Sequence, residues 1–364
     1  MSQSLRLLTG LLLIITILTT PTLYANQAYW EYTFRPGDTI WKLAKTYTTS
    51  VNNWLAIQKI NHIASGPDRR IKPGTRIKIP VSMLKTQPAP ALVIATSAKV
   101  RLVRANQSSQ LLAVNDHLYS GDTIITQANQ FVSLRFADSS ELTILPDSTV
   151  SMDRLSQFKQ TGMIDTQIHL QSGHIDTRVH KQAPGSHYKI VTPSAVTAVR
   201  GTKFRVTAQT RQLTRTEVTR GKVAVSAEHS SQLVKSGYGV IAEKGKPITP
   251  PIKLLAAPVV KFTAAQQLQW QALNGAQSYR YQLASDTDFT HILKQTLTTA
   301  LSVNLSSLPD GHYAVRLRGI DKNQLEGLNT QLAVTIKHRP PPEKKADNNI
   351  WPVFVPIGIF LLGL

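Results

Sequence analysis

Residues 32–44 read Tyr32-Thr33-Phe34-Arg35-Pro36-Gly37-Asp38-Thr39-Ile40-Trp41-Lys42-Leu43-Ala44, and this stretch decides how the first part of the chain folds. Tyr32-Thr33-Phe34 reads as a short strand, and Pro36-Gly37 as a turn. Asp38 or Thr39 can cap a helix whose apolar residues Ile40, Leu43, Ala44 and Tyr47 recur at helical spacing. Downstream, Ser50 can cap a second helix with Trp54, Leu55, Ile57 and Ile60 on its buried face. Pro73-Gly74 turns the chain again, and Arg76-Ile77-Lys78-Ile79-Pro80 alternates as a strand does. The expected order over residues 29–81 is β-α-α-β.

Beyond that unit the helical period disappears. Residues 82–90 form a Pro-bearing linker, and residues 91–250 carry strand-like runs such as Val132 to Phe136, Glu141 to Leu145 and Lys203 to Val206. Residues 258–337 have the same character, with strands around Leu268 to Trp270, Tyr279 to Leu283 and Tyr313 to Leu317, as in a small β-sandwich. The expected fold class is therefore multidomain: a small β-α-α-β domain followed by two all-β domains. Residues 338–349 form a Pro/Lys linker, and 350–364 a hydrophobic tail. As a straight helix that tail would span roughly 22 Å, less than the ~30 Å of bilayer hydrocarbon. Pro352 and Pro356 weaken it further, so membrane contact is expected rather than a full span.

Upstream, Arg6 precedes an apolar run from Leu7 to Leu18, and Pro21 leads to Leu23-Tyr24-Ala25. This three-part layout is that of a secretory signal peptide over residues 1–25, cleaved after Ala25. An exported chain of this kind belongs in the periplasm or cell envelope.

The chain has 364 residues, 41 Lys and Arg against 21 Asp and Glu, a net charge of +20 and no cysteine. The missing cysteines exclude disulfide scaffolds, thiolate metal sites and cysteine nucleophiles. Such a charge usually suggests nucleic acid, but export argues against that partner and points to wall carboxylates or lipid phosphates. No His-Glu-x-x-His, Gly-x-Ser-x-Gly or phosphate-loop pattern occurs. His169, His174 and His180 cluster with Asp165 and Asp176, yet His169 and His174, five apart, would point to opposite faces of a regular strand. Asp286 and Asp288 could imitate paired glycosidase carboxylates but sit in a turn. No catalytic residue, metal site or cofactor is expected.

The segments Tyr32 to Ala44, Trp54-Leu55-Ala56-Ile57-Gln58-Lys59-Ile60-Asn61 and Ile71 to Pro80 together resemble a LysM domain. That resemblance implies binding of N-acetylglucosamine-containing glycan such as peptidoglycan. The implied groove runs between the loop after the first strand and the loop after the second helix. Its residues are Gly37, Asp38, Thr39 and Ile40, facing Asn61, His62 and Ile63. Asp38 and Thr39 are also natural helix caps, which for their side chains is the stronger reading.

Gly121 to Thr126, Leu134 to Leu142, Leu145 to Ser148, Thr192-Pro193, Ala198 to Val206 and Thr219 to Val225 resemble a FecR domain. In iron-signalling relatives such a domain listens to a receptor, but those also carry a cytoplasmic sigma-binding segment, in whose place a LysM-like unit and a signal peptide stand here. Trp270, Tyr279 to Ala284, Leu308 to Tyr313 and Arg316 to Asp321 resemble a fibronectin type III-like domain, with Trp270 and Tyr279 as core. The expected function is a non-enzymatic, peptidoglycan-binding envelope scaffold or adaptor whose β-domains contact other envelope proteins. The alternatives are a FecR-type envelope signalling component and, further off, a cell-wall hydrolase.

Overall fold

The computed structural model describes residues 28–64, 71–97, 99–209, 212–228 and 230–338. The expected signal peptide and hydrophobic tail, and nearly all of the expected linker before that tail, lie outside these residues.

The N-terminal unit comprises β1 (Tyr29–Thr33), α1 (Ile40–Tyr47), α2 (Asn53–Ile60) and β2 (Arg76–Pro80). β1 and β2 pair antiparallel, from Tyr29 opposite Pro80 to Thr33 opposite Arg76. α1 begins where Thr39 Oγ1 accepts a hydrogen bond from the Lys42 amide at 3.1 Å, and it buries Ile40, Leu43 and Ala44. These pack with Tyr32, Phe34, Ile57, Ile77 and Ile79.

The start of α2 differs from expectation. Ser50 does not cap it: Asn52 occupies the cap position and makes no side-chain cap bond, so the helix begins later. Leu55, expected on the buried face, instead faces solvent at 57% exposure, and Gln58 takes a buried place beside Ile57. Gln58 is satisfied there because its Nε2 donates to the carbonyls of Ile63 and Ala64, both at 3.2 Å.

Residues 82–90, expected as a linker, are built into the fold instead. Val81–Met83 makes a 3₁₀ turn, and Thr86–Pro88 pairs with Ser156–Phe158 of the middle domain. Val81 and Leu84 carry the N-terminal core onto Phe158 and Met163. Burying these four apolar side chains gains more than a solvated tether would, so the first two domains share one core.

The middle domain is all β, and its hydrogen-bonded ladders close on themselves. One long strand, Ile164–Arg178, serves both halves. Its first half pairs with Thr149–Gln157 and, in parallel, with His187–Val191. Its second half pairs with Glu141–Ile144 and with Lys203–Ala208. The crossover lies at Gly173, whose φ is +101° and whose place a Cβ could not share with Ser148. There the inward alternation slips, from Ile164, Thr166, Ile168 and Leu170 to Gly173, Ile175 and Thr177. His169 and His174 therefore both lie on the outward side, and the expectation of opposite faces is corrected: the bulge between Thr149 and Val150 breaks the regular period.

The third unit has a three-stranded sheet, Val260–Phe262, Gln267–Trp270 and Ser302–Asn304. It faces a four-stranded one ordered Ile292–Thr298, Ala276–Ala284, Gly311–Asp321 and Thr330–Ile336. Trp270 and Tyr279 are buried between them with ring centroids 5.6 Å apart, edge to face. Phe131 and Leu145 of the middle domain share a second core with Ala284, Phe289, Ile292 and Ala314, which fastens the third unit to the second.

Candidate functional site

A groove of about 700 Å³ opens on the N-terminal unit between the β1–α1 loop, α2 and the approach to β2. Phe34, Asp38, Thr39, Ile40 and Trp41 line one side. Trp54, Gln58, Ile63, Ile71, Lys72 and Pro73 line the other. Its surface is mainly apolar with a few polar groups, the usual character of a small-ligand site.

Of the residues the sequence singled out, Asp38, Thr39, Ile40 and Ile63 line this groove, and Gly37, Asn61 and His62 do not. Gly37 holds the turn with φ +80°, and its carbonyl accepts from Lys42 Nζ at 3.1 Å. The Asp38 carboxylate is engaged locally: Oδ2 accepts from the Tyr32 hydroxyl and from the Arg35 amide, both at 2.8 Å. Burial first, then that hydrogen bond and the charge of Asp38, push the Tyr32 phenol up to about 12, so it remains a donor. Thr39 spends its hydroxyl on the helix cap. Ile40 is only 8% exposed and supports the wall from behind. Asn61 bonds across to β2, and His62 sits at φ +51° in the turn that follows α2.

Sequence reasoning missed Phe34, Trp41, Trp54, Gln58, Ile71, Lys72 and Pro73 as groove residues. Trp41 left a signal: it falls off the buried stripe of α1, between Ile40 and Leu43. The structure leaves it 48% exposed, with the Lys45 ammonium 5.2 Å from the ring. A large aromatic held at a groove edge by a packed helix is a ready platform for an apolar ligand face.

Among the residues lining the groove, Asp38 is the single carboxylate, whereas glycoside hydrolysis ordinarily uses two. Among the described residues no group of three or more His, Asp and Glu could hold a metal. The sequence cluster disperses: Asp165 pairs with Arg154 at 2.8 Å, Asp176 with Arg316 at 2.8 Å, and His174 Nδ1 lies 2.9 Å from Thr207 Oγ1. Asp286 accepts from the amides of Thr290 and His291 and so shapes its own turn.

Residues 32–80 match the family model described as LysM domain. Residues 122–224 match the model described as FecR protein. The chain thus carries a LysM domain followed by a FecR domain, both from non-catalytic binding or signalling families associated with the cell envelope. No curated protein matches the chain. Two crystal structures of a candidate anti-sigma factor from Parabacteroides distasonis, at 2.50 and 1.65 Å, are similar at 16% identity and a TM-score of 0.30. Each similarity covers 36% of this chain and 59% of that one. None of the described helices is long and apolar enough to cross a membrane.

Proposed function

We propose that this protein is a non-enzymatic scaffold or adaptor of the cell envelope that holds peptidoglycan through the LysM groove. The observation that carries this reading is the exposed Trp41 ring at the edge of an apolar groove in a segment matching the LysM model. A sugar ring offers an apolar face to such an aromatic, while its N-acetyl and hydroxyl groups can reach backbone amides of the surrounding loops. The two β-domains then serve as the surface for other envelope proteins. The three-plus-four strand order of residues 258–337 supports a fibronectin type III-like connector. Residues 1–25 would direct export to the periplasm, and 350–364 would touch a membrane.

The FecR match favours a second reading, in which the middle domain relays an envelope signal. The glycan-binding reading is tested directly. The full chain is mixed with insoluble, protein-free peptidoglycan and centrifuged at moderate salt, so that the basic surface contributes little. The wild-type chain should pellet and Trp41→Ala should remain largely in solution, with no soluble wall fragments released. Equal pelleting of both would remove the LysM groove from the account, and release of fragments would overturn the non-enzymatic reading.

A further inference from the structure

A second cavity, of about 530 Å³, lies between the FecR domain and the C-terminal sandwich, away from the glycan groove. Its floor includes Glu141, Arg178, Lys203 and Arg205, and its roof includes Asp288 and Arg316. Most of its charges are already matched. Arg316 Nη2 donates to Asp176 Oδ2 at 2.8 Å. Arg178 Nη2 donates to Asp288 Oδ1 at 3.1 Å, while its Nη1 lies 3.7 Å from Glu141. Arg205 donates from Nη1 to Asn329 Oδ1 and from Nη2 to the carbonyls of Glu326 and Gly327.

Lys203 is the exception. It lines the cavity, yet among the described residues its ammonium makes no hydrogen bond and no ion pair. Burial, and then the nearby charges of Arg178 and Arg220, hold its proton affinity below the usual lysine value, while Asp288 works in the other direction. Arg205, also at the cavity, is already countered: its Nη atoms are hydrogen-bonded, and its Nε, which makes no hydrogen bond, lies 3.8 Å from the buried Glu217 carboxylate. The half-buried Lys203 ammonium, without a partner, costs free energy that an anion entering the cavity would recover. The opposite sign is also on offer: the Asp288 side chain is 67% exposed at the roof, with Glu141 across from it.

We infer that this cavity binds a small zwitterionic ligand, an amino acid or a dipeptide with both ends free, with its carboxylate taken by Lys203 and its ammonium by Asp288. A dianion such as phosphate suits the cavity less, because Glu141, Asp176 and Asp288 also line it. The ligand would touch both domains at once, so its binding would tighten their junction. This inference stands apart from the glycan-binding reading and shares no residue with that groove.

The test is calorimetric titration of the full chain with alanylalanine, in both the L,L and D,D forms, at low salt. Controls are the N-acetylated dipeptide, the dipeptide amide and inorganic phosphate. At least one dipeptide should bind, and each capped form should bind about tenfold more weakly or worse. Lys203→Gln should weaken the dipeptide by a similar factor while leaving the unfolding temperature unchanged or raised. Asp288→Asn, at an exposed position, gives a second variant that should weaken the dipeptide without affecting the N-acetylated form. Trp41→Ala should leave all of this binding intact. The inference fails if neither dipeptide binds at millimolar concentration, if the amide binds as well as the free dipeptide, or if phosphate binds as well as either.

Discussion

The side chain of Asn61 and the backbone of Lys78 hydrogen-bond reciprocally: Nδ2 donates to the Lys78 carbonyl at 2.8 Å, and Oδ1 accepts from the Lys78 amide at 2.7 Å. The amide thus imitates one rung of a β-ladder and ties the end of α2 to β2. Nδ2 also donates to the Ile57 carbonyl at 2.8 Å. Asn61→Ala should therefore cost about 1–3 kcal/mol of LysM stability. Thermal unfolding would show the loss. At a temperature where the variant stays folded, it should pellet with peptidoglycan as the wild type does.

Ile40 and Trp41 are neighbours with opposite roles. Ile40→Asp places a carboxylate in a packed core and should unfold the LysM domain, at a cost of more than about 2 kcal/mol. Trp41→Ala changes an exposed ring, and its stability should stay within about 0.5 kcal/mol of wild type. Circular dichroism alongside the pelleting assay distinguishes a lost fold from a lost platform.

The shared core of the first two domains predicts a coupled response. Phe158 belongs to the FecR side in sequence, yet it packs with Val81 and Leu84 under the LysM domain. Phe158→Ala should destabilise the LysM domain by about 3 kcal/mol and expose residues 82–90 to proteolysis. If the LysM domain keeps its unfolding temperature in that variant, the shared core contributes nothing.

Gly173 permits the long strand to pass from one half of the ladder to the other. Gly173→Ala meets both a positive φ and the body of Ser148, and should cost about 3 kcal/mol or more. Denaturant unfolding followed by Trp fluorescence and far-UV dichroism would measure it. Gly37→Ala, at a positive φ with open space around it, should cost only about 1 kcal/mol.

Glu217 gives a pH signature. Burial, with the nearby charge of Glu326 adding to it, pushes its carboxyl up to about 7 although Arg205 lies 3.8 Å away. Its folded proton affinity exceeds the unfolded one, so its contribution is fully present below the ordinary carboxylate range. That contribution is lost as pH rises through about 7. The stability that Glu217 contributes should therefore fall between about pH 5 and about pH 8, against the opposite slope of His174, whose proton affinity burial lowers, so the Glu217→Gln difference isolates it. Glu217→Gln should match the wild type at the acid end and exceed it at the alkaline end. Chemical denaturation at the two pH values checks both.

The LysM unit was legible because its signals are local. A turn at Pro36-Gly37, a cap at Thr39 and apolar residues at helical spacing each act over a few neighbours. The groove was legible only in part. The cavity takes in the β1–α1 loop that the sequence implied, but Asn61, named with it, lies elsewhere, and nothing local announces that its amide is consumed by Lys78, seventeen residues on. The phase of α2 failed for a related reason. Ser50 carries a capping side chain, but the chain places Asn52 at the cap, and a buried Gln58 is explained by tertiary contacts such as those of its Nε2 with the Ile63 and Ala64 carbonyls.

By itself, then, the sequence determined the order of a β-α-α-β unit and strand-rich segments, and some of the residues that make their turns and cores, such as Gly37, Thr39, Ile40 and Leu43. Those choices follow from backbone preference and hydrophobic period, which are properties of short segments. Only the tertiary structure decided that 82–90 is a strand-bearing seam, that Gly173 turns His169 and His174 to the same side, and that Arg205, Arg316 and Lys203 meet Asp288 and Asn329 between domains. These depend on which surfaces lose water together, and residues more than a hundred positions apart settle that jointly through packing and charge.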